Sequence, residues 1–168
     1  MEKARVINIM RIMNAGVLLD LEHYHRVFGG KYYRGRPQML LLRMSNGRNV
    51  QLFRRGTIQI LGAISEPEAQ AMRQEIVQKL GLLEATPLQI SNLVVTAQLK
   101  MSQCSTLIAA SNGDVFHEIE LFPATLIHKW HPAHIALFHN GKIIITGVKS
   151  LESCRSLLTS VSQYLSSQ

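Results

Sequence analysis

The segment "LFRRGTIQILGAIS" at residues 52–65 returns as "LFHNGKIIITGVKS" at residues 137–150. Both copies follow one pattern, Leu-Phe-x-x-Gly-x-Ile-x-Ile-x-Gly-x-x-Ser, and they stand 85 residues apart. Upstream, Asn8 and Asn92 each open an apolar run, "NIMRIMN" and "NLVVTAQ", at a separation of 84 residues. A pattern that keeps its spacing over this distance indicates that one structural unit occurs twice.

Hydrophobic periodicity assigns secondary structure within the repeat. Alternating, β-rich runs predict strands at residues 5–13, 38–45, 48–54 and 57–63. Next, Ser65 and Glu68 form a capping box and Gly81 follows the apolar stripe, which predicts a long helix between them. Ser150 starts the equivalent helix of the second copy. Shorter helices are predicted near residues 18–28 and 102–110.

The order of these elements indicates an α+β fold. Strands that follow one another through hairpins form an antiparallel sheet, which the helices cover on one face while the other face stays free. The linker "EATPLQ" at residues 84–89 is too short to let the copies separate. We therefore predict two repeats, residues 1–84 and 85–168, in one continuous domain with pseudo-twofold symmetry.

The free face of the sheet combines amides with apolar residues. Strand alternation places Asn8 with Met10, and Asn92 with Val94, on this face of the first strand of each repeat. An amide beside apolar side chains is unusual on a solvated surface. The pattern indicates a binding face, and self-association of the protein through this face is the alternative.

Aromatic residues stand at the ends of the hairpins. Phe53 and Phe138 flank the turns "RRG" and "HNG", and Phe122 precedes a proline in "ELFPATL". A protein that binds the DNA minor groove requires apolar side chains that insert between base pairs and unstack them, which we call wedges. It also requires polar side chains, such as amides, on the sheet face that meets the floor of the groove. A core position for these rings is the alternative interpretation.

The charge of the chain is basic and uneven. The formal net charge is +7, and residues 1–84 hold 13 Lys/Arg against 7 Asp/Glu, whereas residues 85–168 hold 5 against 4. This balance favours a polyanionic partner, and a solvated basic face without a partner is the alternative.

Composition narrows the class of protein. Hydrophobic residues make up 46% and charged residues 17%, which is typical of a globular chain. No apolar run reaches the roughly 18–20 residues that span a bilayer, and the N-terminus lacks the pattern of a signal peptide. Cys104 and Cys154 lack the spacing of a zinc or redox motif and are interpreted as buried thiols. We expect a soluble, intracellular protein that is not secreted.

Six stretches in order resemble the conserved core of the TATA-box-binding protein family, over about residues 5–165. They are "NIMRIMNAGVLLDL", "LFRRGTIQILGA", "IVQKLGL", "SNLVV", "ELFP" and "NGKIIITGVKS". The resemblance implies a saddle whose repeats run β-α-β-β-β-β-α, with a curved ten-stranded antiparallel sheet and four helices on the convex face. It also implies a general transcription initiation factor that binds TATA-like promoter DNA in the minor groove, bends it and recruits a transcription factor IIB-like partner and RNA polymerase. Its compartment would be the nucleus, or the transcription compartment of a viral or archaeal system.

Carried over to this chain, the resemblance assigns site residues in four groups. The residues on the groove floor would be Asn8, Met10, Leu61, Asn92, Val94 and Thr146. The wedges would be Pro37, Phe53, Phe122 and Phe138. The phosphate contacts would be Arg36, Arg43, Lys142 and Lys149, joined by the hairpin residues Arg54 and Arg55. The surface for the transcription factor IIB-like partner would be Glu118, Glu120 and Leu121, and a transcription factor IIA-like factor is a further expected partner.

The chain departs from the family pattern in its first repeat. Pro37 replaces a wedge phenylalanine, Leu61 stands where the second copy has Thr146, and Thr57 and Ile64 replace basic residues. These departures favour a divergent paralogue, or a viral or lineage-specific relative. The alternative function is a protein-interaction module with relaxed or lost TATA specificity.

No set of residues predicts an enzyme. The chain lacks a nucleophile with its base, a phosphate-cradling glycine loop and paired carboxylates, so we expect no cofactor, metal or small-molecule substrate. The histidines of "HKWHPAH" are close in sequence, but strand alternation is expected to send His128, His131 and His134 to different faces. His128 matches a family arginine, which suggests a protonatable phosphate contact.

Overall fold

A computed structural model of the chain describes residues 4–109, 115–116 and 123–166. Within them the first repeat contains β1 (Arg5–Asn14), α1 (Leu21–Phe28), β2 (Lys31–Tyr33), β3 (Met39–Arg43), β4 (Asn49–Phe53), β5 (Thr57–Leu61) and α2 (Glu66–Leu80). The second contains β6 (Gln89–Gln98), α3 (Met101–Ala109), β7 (Val115–Phe116), β8 (Ala124–Ile127), β9 (His134–Phe138), β10 (Lys142–Val148) and α4 (Leu151–Ser166). The predicted order β-α-β-β-β-β-α is confirmed in both copies.

The long first-repeat helix is capped at Ser65 and ended at Gly81 as predicted, but the capping box is only half formed, because the Glu68 carboxylate accepts from the backbone N–H of Ile64 instead of that of Ser65. The Ser65 side chain accepts a hydrogen bond from the backbone N–H of Glu68, and Gly81 ends the helix in the left-handed conformation at φ 63°. Because a residue with a Cβ rarely adopts that conformation, glycine is the ordinary way to end a helix there. Periodicity did not locate β2, because three residues are too few to show an alternation.

Contacts between Cα atoms divide the chain into two compact units. Asn8–Ser91 form the first unit, and Asn92–Gln168 together with Met1–Ile7 form the second unit. The strand order is β2-β3-β4-β5-β1 in the first repeat and β7-β8-β9-β10-β6 in the second, with antiparallel neighbours in each. The two repeats therefore share one topology.

The register of the hairpins that carry the duplicated pattern repeats with the spacing of the sequence. Met39 lies opposite Phe53 in the pairing of β3 with β4, and Ala124 lies opposite Phe138 in the pairing of β8 with β9. Each residue of the second pair stands 85 positions after its counterpart in the first. The hairpins that carry the duplicated pattern are thus equivalent in pairing as well as in sequence.

Each sheet buries one face beneath its helices. In the first unit, Leu52 and Ile60 pack in one cluster with Met72 and Ile76 of α2, and all four are almost completely buried. The burial pattern of β4 and β5 alternates between half-buried and buried residues. The half-buried residues lie on the side away from the helices, and we call this side of each sheet the open face.

The predicted burial of both cysteines is confirmed. Cys104 and Cys154 are buried and free of disulfides. Burial raises the pKa of both thiols above the ordinary value, because the thiolate loses hydration in the protein interior. In the described ranges no helix is long and apolar enough to cross a membrane.

Candidate nucleic-acid interface

The open face of the first unit is a row of uncharged amides and apolar side chains. Leu41 lies opposite Gln51 across β3 and β4, Gln51 lies opposite Gln59 across β4 and β5, and Gln59 lies opposite Ile12 of β1. All four are half-buried. Amides can donate or accept hydrogen bonds, and the neighbouring apolar groups can pack against a flat ligand. Neither glutamine is among the residues predicted from the sequence, although the alternation in "NVQLF" and "TIQIL" is sufficient to place both on this face.

The structure brings the two first-repeat wedges together. Pro37 and Phe53 line one open depression of about 480 Å³ with Gln38, Arg54, Arg55, Thr57 and Gln59. The Phe53 ring is half-buried rather than part of the core, and Pro37 is exposed. An apolar pair with guanidinium groups beside it can meet a base step and a phosphate at the same time.

The second-repeat wedge that the structure describes has an equivalent position. Phe138 is half-buried at the end of β9, opposite Ala124. Phe122, the remaining predicted wedge, lies outside the described residues. The same holds for the predicted partner residues Glu118, Glu120 and Leu121.

The predicted phosphate contacts are accessible. Arg36, Arg43, Arg54, Arg55, Lys142 and Lys149 are all exposed. The ion pairs found among described residues use Arg11, Arg48 and Lys79 instead. The six cations therefore have no described carboxylate to neutralise them.

Acidic residues are segregated from the strands. In the described part of the chain they lie on helices, at a helix N-cap or in the linker, and they are Asp20, Glu22, Glu66, Glu68, Glu75, Glu84 and Glu152. Glu68 accepts hydrogen bonds from the backbone N–H of Ile64 at 2.9 Å and from Nε of Arg48 at 3.1 Å, which together hold its pKa below the ordinary value. This separation keeps the open face free of charges that would repel phosphate.

The predicted groove-floor residues of the first unit, Asn8, Met10 and Leu61, are half-buried on its open face. The side-chain Oδ1 of Asn8 is buried and has no hydrogen-bond donor among the described residues.

In the second unit, Asn92, Val94 and Thr146 are likewise half-buried on the open face. Here the amide is held in place, because Oδ1 of Asn92 accepts a hydrogen bond from the backbone N–H of Gly147 at 2.8 Å. The repeat equivalence of the two asparagines therefore does not extend to their hydrogen bonds.

The prediction that the histidines would point to different faces is wrong for two of them. His128 and His134 meet with their Nδ1 atoms 2.7 Å apart, because the turn after β8 folds the start of β9 back beside the end of β8. His131 lies farther off, with its ring centre 6.4 Å from that of His134. Among described residues no group of three ligating side chains could hold a metal ion.

Comparison with known proteins finds a matching family model and relatives along the chain. The family model described as "Transcription factor TFIID (or TATA-binding protein, TBP)" matches residues 87–167. A TATA-box-binding protein of Methanocaldococcus jannaschii is 28% identical over 94% of this chain and 90% of its own length. A TBP-related factor of Drosophila melanogaster is 29% identical over 96% of this chain and 75% of its own length.

A solved structure shares the fold. The structure described as Methanococcus jannaschii TBP covers 99% of both chains with a TM-score of 0.75 at 24% identity. The duplicated α+β domain is thus a TBP-like fold, which confirms the predicted fold class. The family model over the second repeat, the relatives along nearly the whole chain and this shared fold together support a TATA-box-binding-protein-family assignment. The family is one of DNA-binding transcription factors rather than enzymes.

Proposed function

We propose that this protein is a transcription initiation factor that binds TATA-like promoter DNA in the minor groove, bends it and recruits the transcription machinery. The observation that carries the proposal is the depression in which Pro37 and Phe53 lie beside Arg54 and Arg55 at the edge of an amide-lined open face. Support also comes from the relatives, which are named TATA-box-binding proteins.

The open face suits the chemistry of the minor groove. The floor of that groove presents hydrogen-bond acceptors at A·T pairs, which amide N–H groups can meet. Rings at the edge of the sheet would enter a base step and open the groove, and the exposed cations would hold the phosphates on either side. The two repeats would act as one continuous pseudo-twofold domain, so that one duplex meets both open faces.

The proposed partners extend beyond DNA. Glu118, Glu120 and Leu121 would contact a transcription factor IIB-like protein, and a transcription factor IIA-like factor would bind the first repeat. Through these contacts the complex would recruit RNA polymerase, in the nucleus or in the transcription compartment of a viral or archaeal system. These partners rest on the family resemblance alone.

A titration against two duplexes tests the proposal. The purified chain is added to a TATA duplex and to a scrambled duplex of equal composition, each labelled at both ends, and anisotropy and end-to-end energy transfer are recorded. We expect tighter binding to the TATA duplex together with increased transfer, because bending brings the ends closer. Equal weak binding without a change in transfer would refute the proposal. Leu61 and Pro37, which depart from the family pattern, would then favour a protein-interaction module with relaxed TATA specificity.

A further inference from the structure

The two equivalent asparagines of the open faces differ in how their amides are held. In the second unit, the ladder between β6 and β10 shifts register between Ile145 and Val148 and then resumes with Val148 opposite Leu93. Gly147 lies in this irregularity, and its backbone N–H turns to Oδ1 of Asn92 at 2.8 Å. Because this bond fixes the orientation of the amide, the end left to face a ligand is the N–H₂ group, which only donates hydrogen bonds.

The first unit lacks this arrangement. Strand β5 ends at Leu61, whereas its equivalent β10 continues to Val148, the counterpart of Ala63. The pairing of β1 with β5 runs from Asn14 to Arg11 and does not resume beyond Ile60. The amide of Asn8 consequently has no donor for its buried Oδ1.

A buried arginine occupies the place where the two repeats differ. Arg11 is only 4% exposed, and its Nη1 donates to the backbone oxygen of Ala63 at 3.0 Å while its Nη2 pairs with Glu66 at 3.2 Å. The second repeat has Val95 at the equivalent position, which cannot donate to a backbone oxygen. Because Arg11 lies on β1, the Ala63 oxygen is bonded to a side chain of β1, where the equivalent Val148 of the second repeat continues the backbone ladder.

We infer that Asn8 and Asn92 read opposite minor-groove chemistry, and that Arg11 is the positioning residue that makes them differ. This inference rests on the proposed function. Asn92, fixed as a donor, requires the acceptor groups that every A·T pair presents, whereas the exocyclic N2 amine of guanine adds a donor that it cannot accept. Asn8 is held at neither end, so a half-turn of its amide offers the carbonyl to that amine, since the O and N atoms have nearly the same size and shape. The preferred site is therefore asymmetric, with a G·C pair favoured opposite Asn8 and excluded opposite Asn92.

Base analogues isolate the amine from every other property of the pair. In an A·T duplex, each adenine in turn is replaced by 2,6-diaminopurine, which adds only the N2 amine, and the Kd is measured by anisotropy. In the reverse series, inosine replaces guanine in a duplex that contains G·C pairs, which removes the N2 amine. We expect one position at which the amine tightens binding about three- to tenfold, the effect of one added hydrogen bond, and another at which it weakens binding by a similar factor. Asn8→Ala should abolish the gain at the first position and leave the penalty at the second.

A substitution at the positioning residue provides the sharper test. Arg11→Val copies the second repeat, frees the Ala63 oxygen for the ladder and should convert the gain at the Asn8 position into a penalty. Val95→Leu is the matched control, because it changes a buried side chain at the equivalent position without adding a donor. A purely structural role of Arg11 would weaken all duplexes equally and leave the amine effects unchanged, which would overturn its assignment.

The outcomes separate the inference from the function. If the wild-type protein binds the A·T duplex but the amine weakens binding at every position, the inference is overturned and the proposed function stands. If no duplex is bound, the proposed function itself fails. Should Arg11→Val not fold, the analogue series on the wild-type protein and on Asn8→Ala decides the asymmetry.

Discussion

Salt dependence is the most direct measure of how many cations meet the DNA backbone. The six exposed cations assigned to phosphate contacts are Arg36, Arg43, Arg54, Arg55, Lys142 and Lys149. Each phosphate that a cation neutralises releases condensed counterions, so six contacts correspond to a slope of about −5 in a plot of log Kobs against log salt concentration. Affinity should then fall about a thousandfold between roughly 50 and 200 mM salt.

The hairpin arginines test this estimate residue by residue. The double variant Arg54→Ala/Arg55→Ala should make the slope less steep by about 2, because two contacts are lost. Arg26→Ala is the matched control, since Arg26 is also exposed but lies in α1 on the helix side, and its slope should equal that of the wild-type protein. The assay is fluorescence anisotropy of one TATA duplex at five or more salt concentrations. A wild-type slope shallower than about −2, or an equal loss of slope in the control, would refute the assignment of these cations to phosphates.

Three further predictions concern bending, packing and pH. Phe138→Ala should reduce end-to-end energy transfer of a bound duplex more than Pro37→Ala does, and Pro37→Phe should increase this transfer, because a larger ring covers more of an unstacked base. An equal loss of transfer in both alanine variants would contradict the prediction that the two wedges contribute unequally. Ile76→Ala should lower the free energy of unfolding in urea by about 2–5 kcal/mol, since the side chain is completely buried. Leu83→Ala at an exposed position is the control, and an equal loss of stability in the two variants would contradict the burial of Ile76 in the core. Partial burial raises the pKa of Glu75, but hydrogen bonds from the Ser45 hydroxyl and backbone outweigh it and lower this pKa below the ordinary value of 4.5. The ionised carboxylate therefore stabilises the fold above about pH 5, and this contribution is lost as the pH falls through the folded-state pKa. Glu75→Gln should reduce the acid-induced drop of the urea midpoint, and an unchanged drop would show that the contacts with Ser45 do not contribute.

Local sequence patterns were sufficient to predict most of the secondary-structure elements. The N-cap Ser65 and the left-handed Gly81 define the ends of α2 through contacts within a few residues, so the sequence alone locates them. Strict alternation similarly located β4 and β5, although the face that carries Gln51 and Gln59 was recognised only in the structure. The element that periodicity missed, β2, spans three residues and is paired only through its neighbour β3. A strand of three residues forms because it pairs with a neighbouring strand, and three residues are too few to show a periodic pattern in the sequence.

Much of the candidate site was also visible in the sequence. The resemblance placed Pro37 and Phe53 in the site as wedges, and only the structure showed that they line one depression with the hairpin arginines. The assignment of these residues to DNA contacts remains a prediction that the titrations test. His128 and His134 show the limit of alternation, because two residues six positions apart met across a turn rather than along a strand.

The sequence by itself determined the duplication, the order of elements and the face on which each repeat carries its asparagine, because periodicity and turn chemistry act over a few residues. Only the tertiary structure decided what each asparagine can do. The bond from Arg11 to Ala63 joins residues 52 positions apart, and the bond from Gly147 to Asn92 joins residues 55 positions apart. Whether an amide is held or free depends on where the end of another strand comes to lie, and that position follows from packing between distant segments rather than from any local pattern.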